Sequence, residues 1–172
     1  KLLDASNVLG EQAHHDDRLA AARGLDDPGK TEAWYMLHTR PSSSIRCGNT
    51  PGLTRERLRR ALLVDGAREC MVEHPVQPGD SFLLYAGTMH YSTGGQVFYE
   101  IMENSDVYIG LGPPRGDMPP HERERRVEQA VEGVHLEEKF DCRTTPVRLD
   151  EPGARRTLIL ACEHFCLERL DL

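Results

Sequence analysis

The 172-residue chain has no excess of basic residues: 21 Lys and Arg stand against 28 Asp and Glu, for a net charge of −7. A polyanion or an anionic membrane needs a basic face, so nucleic acid and such membranes are not expected partners. No apolar run approaches the ~20 residues that a bilayer-spanning helix requires. Five cysteines occur (Cys47, Cys70, Cys142, Cys162 and Cys166), but they form no CxxC pair and their number is odd. That argues against a four-cysteine zinc module and for free thiols in a reducing cytoplasm. Internal repeats and low-complexity tracts are missing, and no signal-peptide pattern is visible in a chain that opens on KLLDAS. The length suits a single domain with a real core.

Short strands dominate the pattern. GKTEAWYMLHTRP carries aromatic and apolar residues closed by Pro41 and predicts a strand, and SSSIRCGN predicts another ending in a Gly-Asn turn. TRERLRRALLVDG changes period: Leu58, Ala61 and Leu62 recur at helical spacing, and Gly66 supplies a stop. HPVQPGD is a turn into the strand SFLLYA; QVFYEIM and DVYIGLG are further strands, the second running into the breaker-rich PPRGDMPP. HERERRVEQAVEGV, highly charged with weak apolar periodicity, is a solvated helix or a linker. RTLILACEHFCLERLDL closes the chain as one long strand or two short ones. Many short strands between Gly/Pro turns predict an all-β fold, an antiparallel sandwich or barrel with a few inserted helices.

Strand alternation places residues i and i+2 on one face. Gln12 and His14 in EQAHHDD share a face if that stretch is extended, as do Lys30 and Glu32 in GKTEAW, and His90 stands at a strand edge after AGTM. In a small barrel these stretches can point inward together, giving an amide, a carboxylate and two imidazoles. Such a set suits zinc, iron or manganese, with a position left open for substrate or water. Lys30, beside the cation, is a candidate proton carrier. Each element also has a plainer reading: HHDD as a polar loop, Glu32 and Lys30 on a wet face, His90 as a surface histidine. Only their combination makes a metal site competitive.

GDSFLLYAGTMH resembles the second cupin motif: Gly79, Gly87 and His90 hold the pattern, while Tyr85 stands where the motif has proline. More specifically, the chain resembles the class I mannose-6-phosphate isomerases of cupin fold. The similar stretches are KLLDAS, QAHHDD, GKTEAWYML, VQPGDSFLLYAGTMH and YEIMENSD, in the family's order over residues 1–110. The resemblance implies a zinc ion held by Gln12, His14, Glu32 and His90, with Fe2+ or Mn2+ as alternatives. His15 falls where the family has proline and is a neighbour rather than a ligand. Lys30 matches a family lysine and Glu100, in YEIMENSD, a family glutamate; these two are the implied acid–base residues. The implied reaction interconverts an aldose and a ketose through an enediol.

Two positions depart from the family. An arginine is expected where Gly110 stands, and a serine where Gly10 stands. Both family residues are associated with the phosphorylated or anionic end of the substrate, and the arginine also with the reaction itself; Arg115 in GPPRGD is a candidate substitute. A cupin barrel can also host other chemistry on an unphosphorylated or specialised metabolite, or non-catalytic sugar binding. The implied organisation is a single cupin-like, jelly-roll domain over 1–172. Its metal-binding barrel covers about 1–112, and a charged helix or linker covers 113–140. The strands in 141–172 complete the barrel, pair across a homodimer, or stand for a remnant second jelly roll.

Overall fold

The computed structural model describes all residues except 115, 137–140, 152 and 172. Strands β1 (Leu2–Ala5) and β2 (Leu9–Ala13) precede helix α1 (Asp17–Ala22). Strands β3 (Glu32–Thr39) and β4 (Ser44–Asn49) lead into helix α2 (Arg55–Leu63), a 3-10 turn over Ala67–Cys70 and strand β5 (Met71–Pro75). Strands β6 (Ser81–Leu84), β7 (His90–Ser92), β8 (Gln96–Met102) and β9 (Ile109–Gly110) follow, then helix α3 (Pro120–Gly133). Strands β10 (Val147–Glu151), β11 (Ala154–Ala161) and β12 (Cys166–Asp171) come last. The expected all-β architecture with inserted helices is the one that forms. Among the described residues no helix is long and apolar enough to cross a membrane.

Among the described residues all the strand pairs are antiparallel, in three sheets ordered β1-β8-β3-β6, β5-β4-β7-β2-β9 and β10-β11-β12. The first two face each other. Between them lie Trp34, Met36, Phe82, Leu84 and Phe98 from the four-stranded sheet and Ile45 and Cys47 from the five-stranded one. Alternation along β3 decides which residues enter this space: Glu32, Trp34 and Met36 point inward, while Ala33 and Tyr35 pack outward against Ile159 and Leu160 of β11. On the outer face of the five-stranded sheet, Ala13, Met89, Ile109 and Leu111 meet Leu58 and Leu62 of α2 and Val127, Ala130 and Val131 of α3.

Local chemistry explains the helices. Thr54 caps α2 by accepting from Arg57 N at 3.2 Å, and Leu58 and Leu62 fall one turn apart on its buried side. Helix α3 opens with Pro120 at its first turn, where a missing N–H costs nothing, and its apolar stripe of Val127, Ala130 and Val131 has i, i+3, i+4 spacing. Arg59 joins the two helices through Glu128 at 2.6 Å.

Phe98 is fully buried between the facing sheets, with its ring centroid 4.8 Å from that of Trp34. Phe98→Ala is expected to lower unfolding free energy by about 3–5 kcal/mol, from lost apolar burial plus the cavity left behind. Chemical denaturation of variant and wild type, compared at equal slope, checks this; a loss below about 1 kcal/mol would mean the sheets do not close over this residue.

Candidate metal centre

One row of paired residues crosses the five-stranded sheet. Cys47 on β4 pairs with His90 on β7, His90 with Gln12 on β2, and Gln12 with Gly110 on β9. Directly opposed residues of antiparallel strands project to the same face, so His90 and Gln12 both point between the sheets. His14, two residues beyond Gln12, turns the same way, and Glu32 reaches them from the first position of β3. The turn before β7 fixes the angle of His90. Gly87 there has φ +82°, and a Cβ at this position would lie 2.6 Å from His135 Nδ1. Conformation and space both require glycine there.

One ligand atom each from His14, Glu32 and His90 lies within 4.8 Å of the others, and all three residues are buried. His14 Nε2 is 3.3 Å from Glu32 Oε2, and His90 Nε2 is 3.1 Å from Glu32 Oε1. The opposite ring nitrogens settle the tautomers. His14 Nδ1 is 2.8 Å from the Val107 carbonyl and His90 Nδ1 is 2.9 Å from the Thr88 carbonyl. A carbonyl only accepts, so each Nδ1 carries a proton and donates it, and each ring turns its Nε2 toward Glu32. Burial pushes the His14 imidazole toward its neutral form, against the pull of Glu32. Burial alone would raise the Glu32 carboxyl, but the imidazoles of His90 and His14 outweigh it and hold the group well below its usual range.

Two imidazole nitrogens and a carboxylate therefore face one another in a buried space. His14 Nε2 and both Glu32 oxygens make no hydrogen bond, which is costly for buried polar atoms, and the Lys30 ion pair reaches one of the three. A cation among them would satisfy all three, and the orientation of each imidazole by a backbone carbonyl is the support that metal-bound histidines receive. The donor set fits a divalent ion. Gln12 lies alongside, its Nε2 3.1 Å from His90 Nε2, and a half-turn of the carboxamide brings its oxygen to the same place.

Lys30 Nζ is 3.1 Å from Glu32 Oε2. Glu100 lies elsewhere: its Oε1 accepts from Trp34 Nε1 at 3.1 Å and its Oε2 is 3.6 Å from Lys1 Nζ. Trp34 stands between, its indole edge-on to His90 with centroids 5.5 Å apart. The structure thus brings Gln12, His14, Lys30, Glu32 and His90 together and holds Glu100 one ring away. His15 is buried but turns away from the group, with Nε2 2.7 Å from Arg23 Nη1. A Cβ on Gly10 would meet nothing within 4 Å, whereas one on Gly110 would lie 2.9 Å from Arg126 Nη2. Arg115 lies outside the described residues. Sequence reasoning missed Trp34, although its i+2 spacing from Glu32 put it on the same face, and Arg126, which carried no signal.

No family model matches the chain. Over 137 residues it is 30% identical to a probable mannose-6-phosphate isomerase, GmuF, of Bacillus subtilis, covering 79% of this chain and 43% of that protein. It is 27% identical over 173 aligned positions to the mannose-6-phosphate isomerase of Streptococcus mutans, covering all of this chain and 54% of the relative. The crystal structure of the mannose 6-phosphate isomerase from Bacillus subtilis superposes with a TM-score of 0.82 at 21% identity, over 99% of this chain and 54% of that one. The chain spans about half the length of the curated relatives it matches. Fold and site together define a cupin with a buried His–Glu–His group. Within that fold, the curated relatives it matches are mannose-6-phosphate isomerases.

Proposed function

We propose that this chain supplies the metal centre and the acid–base group of an aldose–ketose isomerase acting on mannose 6-phosphate or a closely related sugar phosphate. The observation that carries the reading is the set of buried atoms, His14 Nε2 and both Glu32 oxygens, turned toward one another with no hydrogen bond formed and with Lys30 Nζ 3.1 Å from Glu32 Oε2. His14, Glu32 and His90 would hold a divalent ion with Gln12 as a fourth donor. Two nitrogens and two oxygens around an open position favour zinc, with iron or manganese as alternatives. When bound, such an ion supplies Lewis-acid stabilisation of negative charge developing on the sugar oxygens.

Lys30 Nζ lies beside the ligand group and, as the neutral amine, takes the proton from one substrate carbon and, as the ammonium so formed, returns it to the next. Glu100 is less suited, because its carboxylate is engaged by Trp34 and Lys1. Trp34, edge-on to His90, excludes water from the inner side of the group. The strands of 141–172 form their own sheet against the outside of the barrel, which supports reading them as part of a second jelly roll. The five free cysteines support a reducing, cytoplasmic setting.

Incubation with mannose 6-phosphate or fructose 6-phosphate in D2O, followed by proton NMR, tests the reaction. Interconversion with deuterium entering at C2 is expected, and no exchange with either ester overturns the reading. A second reading, a cupin acting on an unphosphorylated sugar, is favoured by the open space around Gly10. Exchange with mannose alone would select it.

A further inference from the structure

We propose that Arg126 binds the anionic end of the substrate, an assignment that rests on the sugar-phosphate reading above. Gly110 is the outermost member of the row that runs through His90 and Gln12, on edge strand β9. Adjacent strands are about 4.8 Å apart, so Gly110 lies roughly 10 Å from His90 along the same face, a separation comparable with the length of a hexose phosphate. Helix α3 packs on the opposite face, through Val127, Ala130 and Val131. Because β9 has no neighbour on its far side, the Arg126 side chain can curl round the edge. Its Nη2 donates to the Gly112 carbonyl at 2.7 Å and stands 2.9 Å from where a Cβ on Gly110 would be. The missing side chain at position 110 is therefore the space that the guanidinium fills.

The surroundings suit an anion. Arg123, Arg59, Arg68 and Arg23 are each paired with a carboxylate, of Asp65, Glu128, Glu11 and Glu132 respectively. Among the described residues, Arg126 has no carboxylate in ion-pair range, and its recorded bond to Gly112 uses one of five N–H donors. The Tyr108 hydroxyl lies 3.1 Å from the same Cβ position, adding a phenol beside the guanidinium. A guanidinium fork with a neighbouring hydroxyl is a donor set matched to a phosphate monoester.

Arg126→Met keeps the apolar stem and removes the charge. Calorimetry with mannose 6-phosphate is expected to show affinity falling roughly 10- to 100-fold, with metal content close to wild type. The preference for mannose 6-phosphate over mannose should fall by a similar factor, seen in KM. Gly110→Arg combined with Arg126→Ala, which returns a guanidinium from the strand, should restore much of the affinity. If Arg126→Met does not fold, Arg126→Lys, which keeps the charge and loses the fork, should give a smaller loss of the same kind. Unchanged affinity in the folded variant overturns the assignment while leaving the isomerase reading intact. Loss of ester binding in a protein that never exchanges substrate hydrogen upholds Arg126 and removes the isomerase. A wild type that binds neither the ester nor inorganic phosphate overturns both.

Discussion

Glu32→Ala and His90→Ala should each leave purified protein with less than about a tenth of an equivalent of divalent metal, where wild type carries close to one. Glu32 supplies the negative charge within the buried group, and its two oxygens face His14 and His90 at 3.3 and 3.1 Å. Removing it leaves neutral donors to compensate a doubly charged ion in a buried space. His90→Ala removes one ring nitrogen and also frees Gln12, whose carboxamide is 3.1 Å from it. Glu100→Gln is the control: its carboxylate is bonded to Trp34, outside the group, so metal should be retained. Elemental analysis after gel filtration reads all three. Metal near one equivalent in both Glu32→Ala and His90→Ala would show that no such site exists.

Lys30→Met should separate metal binding from proton transfer. Nζ lies 3.1 Å from Glu32 Oε2 and its charge competes with any cation for that carboxylate, so removing it should leave metal affinity no weaker. If Lys30 carries the proton, deuterium entry at C2 should slow by about 10²- to 10⁴-fold, the usual contribution of a positioned acid–base group. The rate comes from NMR on metal-loaded protein. Exchange at the wild-type rate removes Lys30 from the chemistry, and an equal slowing in Glu100→Gln alone would pass the role to Glu100.

The inner shell was legible because alternation is a local property. Glu32, Trp34 and Met36 share the inward face of β3 at i, i+2 and i+4, and QVFYEIM maps onto β8 without shift. RTLILACEHFCLERLDL resolves into two strands because the chain turns back at Cys162, whose N–H bonds the Phe165 carbonyl at 2.9 Å. Helix α3 was harder to read: arginines and glutamates dominate HERERRVEQAVEGV, and the stripe that packs is only Val127, Ala130 and Val131. DVYIGLG shrinks to the two residues of β9 because side chains hold the preceding backbone. Asp106 N donates to Asp27 and Val107 N to Ser105 Oγ, at 3.0 and 3.2 Å. The carbonyls of Val107 and Thr88 that orient the imidazoles had no residue signature, since any amino acid supplies one. Nor could the reach of Arg126 round an edge strand be read from spacing, because it depends on where a helix docks.

Gln12, His14 and His90 hang from one leaf of the sandwich and Glu32 from the other. An ion held by all of them would act as a rivet between the leaves, at a point where polar groups take the place of apolar packing. Folding and loading then become linked equilibria, worth about 2.7 kcal/mol when free ion exceeds its dissociation constant a hundredfold. Sequestering that ion would loosen the very joint on which the cavity depends.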